Sequence, residues 1–363
     1  MDIFNIKEFA TPVTVKHARE FIDQFSSANY MGYLLFPPEN VDSLKWESIV
    51  GANNEPIPVM AGIKDINAES SIASREVTLK RISGKIPSIA RKIPIDAETL
   101  IMLQNPRPQS EEYLNAVRAA YDDMNALVKQ VAARLEWIRF KALTTGQFTY
   151  NEGDGLTFSV DFNVQPEQKV QYNTPNIGLT GVAWNNTTDS DPLKDIIALA
   201  DYFERVTGVR PTRAICSRKL YSTMRMNKNL MEHLFGSAGT NRLISSDDFA
   251  AVFDQYDLPV FSPYNMVVQS ENVRTKVKTK EQLVPDNVVV FLPPANIELG
   301  KTLFGPTVEE ILFPDKAKLA AGPRIWGVIY PEGNDPVTLW TKVVANAFIT
   351  FPGAAYIGIF TAW

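Results

Sequence analysis

Residues able to do chemistry are scarce in this sequence. Its two histidines, His17 and His233, stand far apart, one in the N-terminal segment and one late in a helical stretch. Neither belongs to a His-x-x-x-His pair, and the single cysteine, Cys216, has no Cys-x-x-Cys partner, so no transition-metal spacing is present. Each histidine reads as a surface or helix-end residue. A phosphate-cradling loop would need Gly-x-x-x-x-Gly-Lys-Ser/Thr or Gly-x-Gly-x-x-Gly, and a serine nucleophile elbow Gly-x-Ser-x-Gly; neither pattern occurs. Carboxylate pairs such as Asp122-Asp123 and Asp247-Asp248 invite acid–base catalysis. Sequence neighbours on a helix split across its faces, so solvated-surface and first-turn roles suit them better. The run Asn151-Glu152-Gly153-Asp154-Gly155 lacks the spaced carboxylates and closing glutamate of a calcium loop and reads as a tight turn. Cys216 ends an apolar strand, where a cysteine is usually an inert small hydrophobe. No cofactor or metal is expected.

One constellation does carry a surplus of charge. Between Val77 and Ile95 stand five basic residues, Lys80, Arg81, Lys85, Arg91 and Lys92, and no acidic one. Such a row can blunt an exposed strand edge against aggregation. It can also dock on an acidic patch, which a net-negative chain would supply on a neighbouring copy of itself. Nucleic acid ranks third as a partner, because no aromatic residue is interleaved with these bases. The formal charge of −5, from 36 basic and 41 acidic residues, likewise excludes binding of nucleic acid by bulk attraction. The five residues are candidate intersubunit contacts.

The elements that carry them are an arm, an extended excursion and a long helix. With 363 residues, 45% hydrophobic and 21% charged, the chain has the composition of a folded protein of two domains or of one core with large excursions. A lone cysteine excludes an intrachain disulfide framework. The first residues show no secretion signal, and no apolar window is long enough to cross a membrane. Residues 1–60 place an amphipathic helix near Val15–Phe25 and then proline pairs, as an arm laid over a surface would. Over 61–100 the alternation of Val77, Leu79 and Ile82 against Ile86, Ile89, Ile93 and Ile95 predicts a long hairpin turning at Ser83-Gly84. Pro87 and Pro94 would confine its second strand to a sheet edge.

A helix over 110–145 comes next, with Ser110 as N-cap and Gly146 as its C-terminal stop. Leu114, Val117, Tyr121, Met124, Val128, Val131, Leu135, Ile138 and Ala142 follow steps of three and four over a helix of roughly 50 Å. A second stripe of Ala126, Ala133, Trp137 and Phe140 predicts burial on two faces at the C-terminal end. Beyond a hairpin at 148–164 and a polar stretch at 171–190, Asp191-Pro192 starts a helix ending at Gly208. The strand at 212–216, helices near 219–235 and 246–256 and strands LPVF, NMVVQ and NVVVFLP then form an α/β unit of about a hundred residues. The remainder is strand-rich and antiparallel, and internal repeats are absent.

This order of parts resembles the major capsid proteins of tailed phages, with the Hong Kong 97-type fold and the lambda-type head proteins as nearest pattern. The stretches that carry the resemblance are RKIPIDAETL, ARLEWIRFKALTTGQFTY, LVPDNVVVFLPP and DPVTLWTKVVANAFITFPGAAYIGIF. It implies an α+β capsid fold with an N-terminal arm (1–60), an extended loop (61–100), and a peripheral domain (101–188) holding the spine helix 110–145. An axial domain (189–300) and return strands (301–363) complete it, the last strand being a candidate to join the axial domain. It further implies self-assembly through hexamers and pentamers into an icosahedral virion head around packaged double-stranded DNA, without sequence-specific DNA binding and without a membrane. Assembly would take place in the host cytoplasm with a separate scaffold protein and a portal, and a decoration protein is an expected kind of partner. In some relatives a lysine of the extended loop, where Lys80 and Lys85 lie here, forms an isopeptide bond to asparagine; the lambda type does without it. Other readings are an encapsulin-like compartment shell, a tail or baseplate component and, last, a carboxylate enzyme.

Overall fold

The computed structural model describes residues 30–50, 80–95, 111–151, 157–236, 244–272, 275–312, 323–332 and 338–363. The N-terminal helix expected near Val15–Phe25, His17, the Ser110 cap and the Glu152–Gly155 turn lie outside these residues. The chain divides into two compact units, Met1–Glu47 with Ser83–Arg139 and Gly300–Thr350, and Ser48–Ile82 with Phe140–Leu299 and Phe351–Trp363.

In the first unit, helix α1 (Met31–Leu35) leads into strand β1 (Pro38–Asn40), which pairs in parallel with β13 (Lys301–Gly305). The sheet is organised by β15 (Thr338–Thr350), a 13-residue strand that pairs antiparallel with β14 (Ile325–Glu332), β13 and β4 (Ser88–Ile95). Thr341, Val343, Ala345 and Ala347 alternate along β15 and are buried, as one face of a sheet set against a core must be. The long helix α2 (Glu111–Thr145) supplies that core. A Cβ on Gly327 of β14 would stand 2.9 Å from the Met124 sulfur, so a glycine there lets sheet and helix close up. The predicted stripe is buried at Met124, Val128, Val131, Leu135, Ile138 and Ala142; Leu114, Val117 and Tyr121 lie among side chains not described. Of the predicted second stripe only Phe140 is buried; Ala126 and Ala133 are half-buried, and Trp137 stays half-buried beneath the Arg134 guanidinium, 5.0 Å from its ring. Gly146 ends the helix at φ +72°, its amide donating to the Ala142 carbonyl.

The expected hairpin at Ser83-Gly84 is not formed. Both residues lie inside β3 (Lys80–Lys85), which pairs with β2 (Lys45–Val50), whereas β4 pairs with β15. Gly84 serves packing instead of a turn: a Cβ on it would sit 3.0 Å from the indole nitrogen of buried Trp46. The break falls at Ile86-Pro87, where the Ile86 amide donates to the Leu44 carbonyl and Pro87, which has no N–H, accepts from Ala347. Among the described residues β4 pairs with β15 alone, consistent with the edge position its prolines require. Helix α7 (Val308–Leu312) follows β13.

The second unit opens with the hairpin of β5 (Gln147–Tyr150) and β6 (Phe158–Asp161). Its main sheet runs β7 (Lys169–Gln171), β16 (Gly358–Thr361), β12 (Val288–Leu292), β8 (Arg213–Cys216), β9 (Val260–Pro263). The apolar run Val289–Leu292 is buried throughout, as a central strand covered on both faces demands. Four helices accompany the sheet, each capped by the residue type its position favours. Asp191 caps α3 (Pro192–Thr207), Ser217 α4 (Arg218–Arg225) and Asn227 α5 (Lys228–Phe235). At α6 (Ser246–Gln255), Ser245 and Asp248 form a reciprocal capping box, giving Asp248 the first-turn role expected of it. Phe203, Phe249, Phe253, Phe261 and Phe291 fill the core with successive ring contacts. A second hairpin, β10 (Val267–Glu271) with β11 (Lys278–Gln282), leaves the sheet after β9; the sequence pattern suggested β10 but not β11.

Candidate intersubunit surface

The five basic candidates follow two strands of different sheets. Lys80 and Arg81 stand on β3, among side chains that are not described. Lys85 ends β3 and is exposed, and Arg91 and Lys92 are exposed on β4. As strand neighbours, Arg91 and Lys92 point to opposite faces. Lys92 faces Lys342 across the β4–β15 ladder, a like-charge pairing that would cost stability if left uncompensated. Both ammonium groups find other partners. Lys342 reaches Glu309 on α7 at 2.8 Å, and Lys92 lies 4.1 Å above the Trp340 ring. Arg91 and Lys92 both remain exposed on the edge strand.

A second group, missed in the sequence, anchors the segment before this edge. Glu136 and Arg139, one turn apart on α2, are both buried and paired at 3.1 Å. Glu136 also accepts the Gly32 amide at 2.8 Å. Arg139 donates through Nε and Nη2 to the Thr302 hydroxyl of β13, at 3.1 and 2.9 Å, and that hydroxyl donates to the Phe36 carbonyl at 2.9 Å. A Cβ on Gly32 would fall 2.5 Å from Glu136 Oε2, so only glycine lets α1 approach so closely. Nearby Tyr30 has its phenol pushed up to about 12, chiefly by burial, then by Glu136, with Arg139 opposing. The signal was present in Leu-Glu-Trp-Ile-Arg-Phe (135–140): opposite charges three apart, set between the two apolar stripes of the helix.

The second unit has its own buried polar posts. Asp195 accepts the Thr180 amide, the Thr180 hydroxyl and the Trp184 indole N–H. Burial nonetheless holds its carboxyl above the usual value, those hydrogen bonds opposing. Gln168 donates to the carbonyls of Ala354, Ala355 and Ile357, fixing the turn that leads into β16. His233 is half-exposed in the last turn of α5 with Asp191 at 3.5 Å. Cys216 is fully buried, and burial pushes its thiol up to about 12, far from a reactive thiolate. Among the described residues, no group of histidine, cysteine and carboxylate side chains could hold a metal ion, and no helix is long and apolar enough to cross a membrane.

In both units the buried polar groups described above bond to backbone or side chains of the same unit. Residues 60–357 match the family described as phage major capsid protein E. The chain belongs to that family. Two solved structures share its fold. One, from E. coli CFT073, is described as a prophage capsid protein: 13% identity, TM-score 0.59, 96% of this chain and 99% of that one covered. The other, a phage-related protein of Bordetella bronchiseptica RB50, has 15% identity and a TM-score of 0.55, with 97% and 96% covered. No curated protein matches the sequence.

The capsid protein is a structural component of the virion shell and not an enzyme, and it works by assembling with copies of itself. The α+β capsid fold expected from the order of its elements is the fold it has. The buried Glu136–Arg139 pair fits such a role. Replacing it by apolar side chains would often be neutral or stabilising, whereas an ion pair demands one geometry and so fixes the path of a segment.

Proposed function

We propose that the capsid protein forms hexamers and pentamers that close into an icosahedral head around packaged double-stranded DNA, and that its cationic edge is one of the contacts between subunits. The observation that carries this reading is the placement of Lys85, Arg91 and Lys92: exposed, on an edge, and on strands held by a sheet and not by a free loop. A charged edge on strands fixed in a sheet loses little backbone entropy on docking and gives register to the contact. Lys80 and Arg81 extend the same row in sequence. The head would be built on a separate scaffold protein and a portal in the host cytoplasm, and a decoration protein would bind its outer surface. DNA would be a neighbour and not a specific ligand, since the chain carries −5 overall.

The test is electron microscopy and sedimentation of the purified protein beside Lys85→Glu/Arg91→Glu/Lys92→Glu. The wild-type chain should yield rings or closed particles. The variant should remain as folded, unassembled subunits. A variant that assembles like the wild type removes the edge from the interface, and a wild-type chain that stays monomeric at high concentration refutes the shell reading.

A further inference from the structure

The β10–β11 hairpin carries a second cationic row. Lys276, Lys278 and Lys280 alternate along its turn and second strand and are all exposed. Lys278 and Lys280 share one face of the ribbon, opposite Glu271 and Gln269 in the ladder. None of the three lysines takes part in an ion pair among the described residues, while Glu281 on the same strand holds Lys141. The ribbon is firmly built. The Leu283 amide bonds to the Met266 carbonyl at its base, and at its tip Asn272 accepts from Lys276 N through its carbonyl and from Thr275 N through its side chain.

At the other end of the same unit lies the reverse charge. Asp201 and Glu204 on α3 share Arg210, at 2.7 and 2.8 Å, and Asp257 approaches the same guanidinium at 3.9 Å. Three carboxylates around Arg210, with Arg205 bonded to the Asp201 carbonyl at 3.3 Å, still leave a net negative patch, with Asp201 56% and Asp257 97% exposed. The ends are distinguished by strand direction. Arg210 and Asp257 precede β8 and β9, which run in parallel from Arg213↔Val260 to Cys216↔Pro263. The hairpin starts past their far ends, where the Tyr264 amide bonds to the Cys216 carbonyl. About 10 Å of strand separates the two levels, at roughly 3.3 Å per residue.

A cationic prong at one end of a unit and an anionic patch at the other form a heterologous pair. Copies joined that way repeat head to tail, and close into a ring if the rotation permits. We propose that the lysines of the β10–β11 hairpin dock on the Asp201–Glu204–Asp257 patch of the next copy within a capsomer ring. The inference rests on the ring-forming reading above and names a contact separate from the β3–β4 edge. A DNA backbone is the less fitting occupant. The overall charge of −5 opposes it, no aromatic side chain lies among the lysines, and the complementary patch is already present on the chain itself.

Charge reversal tests the contact. One variant carries Lys276→Glu, Lys278→Glu and Lys280→Glu. A second carries Asp201→Lys and Asp257→Lys, leaving Glu204 to hold Arg210. A third carries all five substitutions. Circular dichroism checks that each is folded, and sedimentation with negative-stain imaging measures ring formation against concentration. Each single-sided reversal should raise the concentration needed for rings by about tenfold or more, because like charges then face each other across every contact in the ring. The five-fold variant, and an equimolar mixture of the first two, should recover assembly. Unchanged assembly of the hairpin variant, or folded single-sided variants whose combination gives no recovery, overturns the proposal. So does a hairpin variant that assembles normally but loses salt-sensitive DNA retention, which would assign the lysines to DNA. A wild-type chain that forms no rings fails the ring-forming reading instead, so the two failures are told apart.

Discussion

The Glu136–Arg139 pair should behave as an anchor for the segment around α1, and a mutant cycle can show it. Consider Arg139→Met. The substitution leaves Glu136 fully buried with its guanidinium partner gone, still accepting the Gly32 amide, and it takes two donors from Thr302. Breaking a buried pair from one side costs about 3–5 kcal/mol. Glu136→Leu should cost a similar amount, since it strands a buried guanidinium and also leaves the Gly32 amide without its acceptor. The double substitution removes both charges and leaves chiefly the unpaired Gly32 amide, about 1–3 kcal/mol. The two single effects should therefore exceed the double by several kcal/mol, a coupling well above the scatter of independent sites. Hydrogen exchange of the peptide covering residues 30–36 reads this locally, each 1.4 kcal/mol appearing as about tenfold in protection. Phe36 N–H, bonded to the Gly32 carbonyl, is a second reporter in that peptide. If protection there is unchanged in both single variants, or if the effects simply add, the pair does not hold the segment and the reasoning is wrong.

Other outcomes follow from the same geometry. Gly32→Ala drives a methyl to 2.5 Å from Glu136 Oε2 and should lower stability by about 1–3 kcal/mol, seen as a drop in Tm. Cys216 should resist thiol reagents at neutral pH in the native chain and react once the chain is unfolded in denaturant, since burial disfavours its thiolate. Tyr30 is an acid whose folded value, about 12, lies above its ordinary 10.0. Its contribution to stability is thus whole below pH 10 and lost as pH rises through 12, and Tyr30→Phe should flatten that alkaline loss in a pH–Tm profile. Asp195 is likewise raised from 3.8, so its contribution is greatest in acid and declines as pH climbs through its folded value; Asp195→Asn should remove that part of the slope.

Local chemistry was legible in the sequence where one residue type dictates one geometry. Asp191-Pro192 opened α3, Gly208 closed it, and the stripe through Met124, Val131 and Ile138 found the core. Partner strands were less legible. Alternation around Ser83-Gly84 looks alike whether two strands pair with each other or with distant ones, and the choice fell to contacts with Trp46 and Ala347 that only the fold brings near. The Glu136–Arg139 pair hid for a related reason. Charges set between two apolar stripes read as solvated until Gly32 and Thr302, from 104 and 163 residues away, close over them.

That separation also explains why a shell protein shows so little in its motifs. An enzyme concentrates its demands on a few groups, because a reacting atom tolerates small errors of position poorly. A subunit that must meet copies of itself spreads its demands over edges and ends, each contact weak and repeated many times. Lys85 on β3, Arg91 and Lys92 on β4, and Lys276, Lys278 and Lys280 on a prong are ordinary surface residues taken singly. Their meaning lies in the rigidity beneath them. β4 is fixed by eight residue pairs to β15, and the prong by five pairs within its own ladder. Weak charge pairs can select one neighbour and one register only when the strands that present them cannot give way, and on the proposed contacts the buried posts at Glu136 and Gln168 would serve assembly through the rigidity they lend the fold.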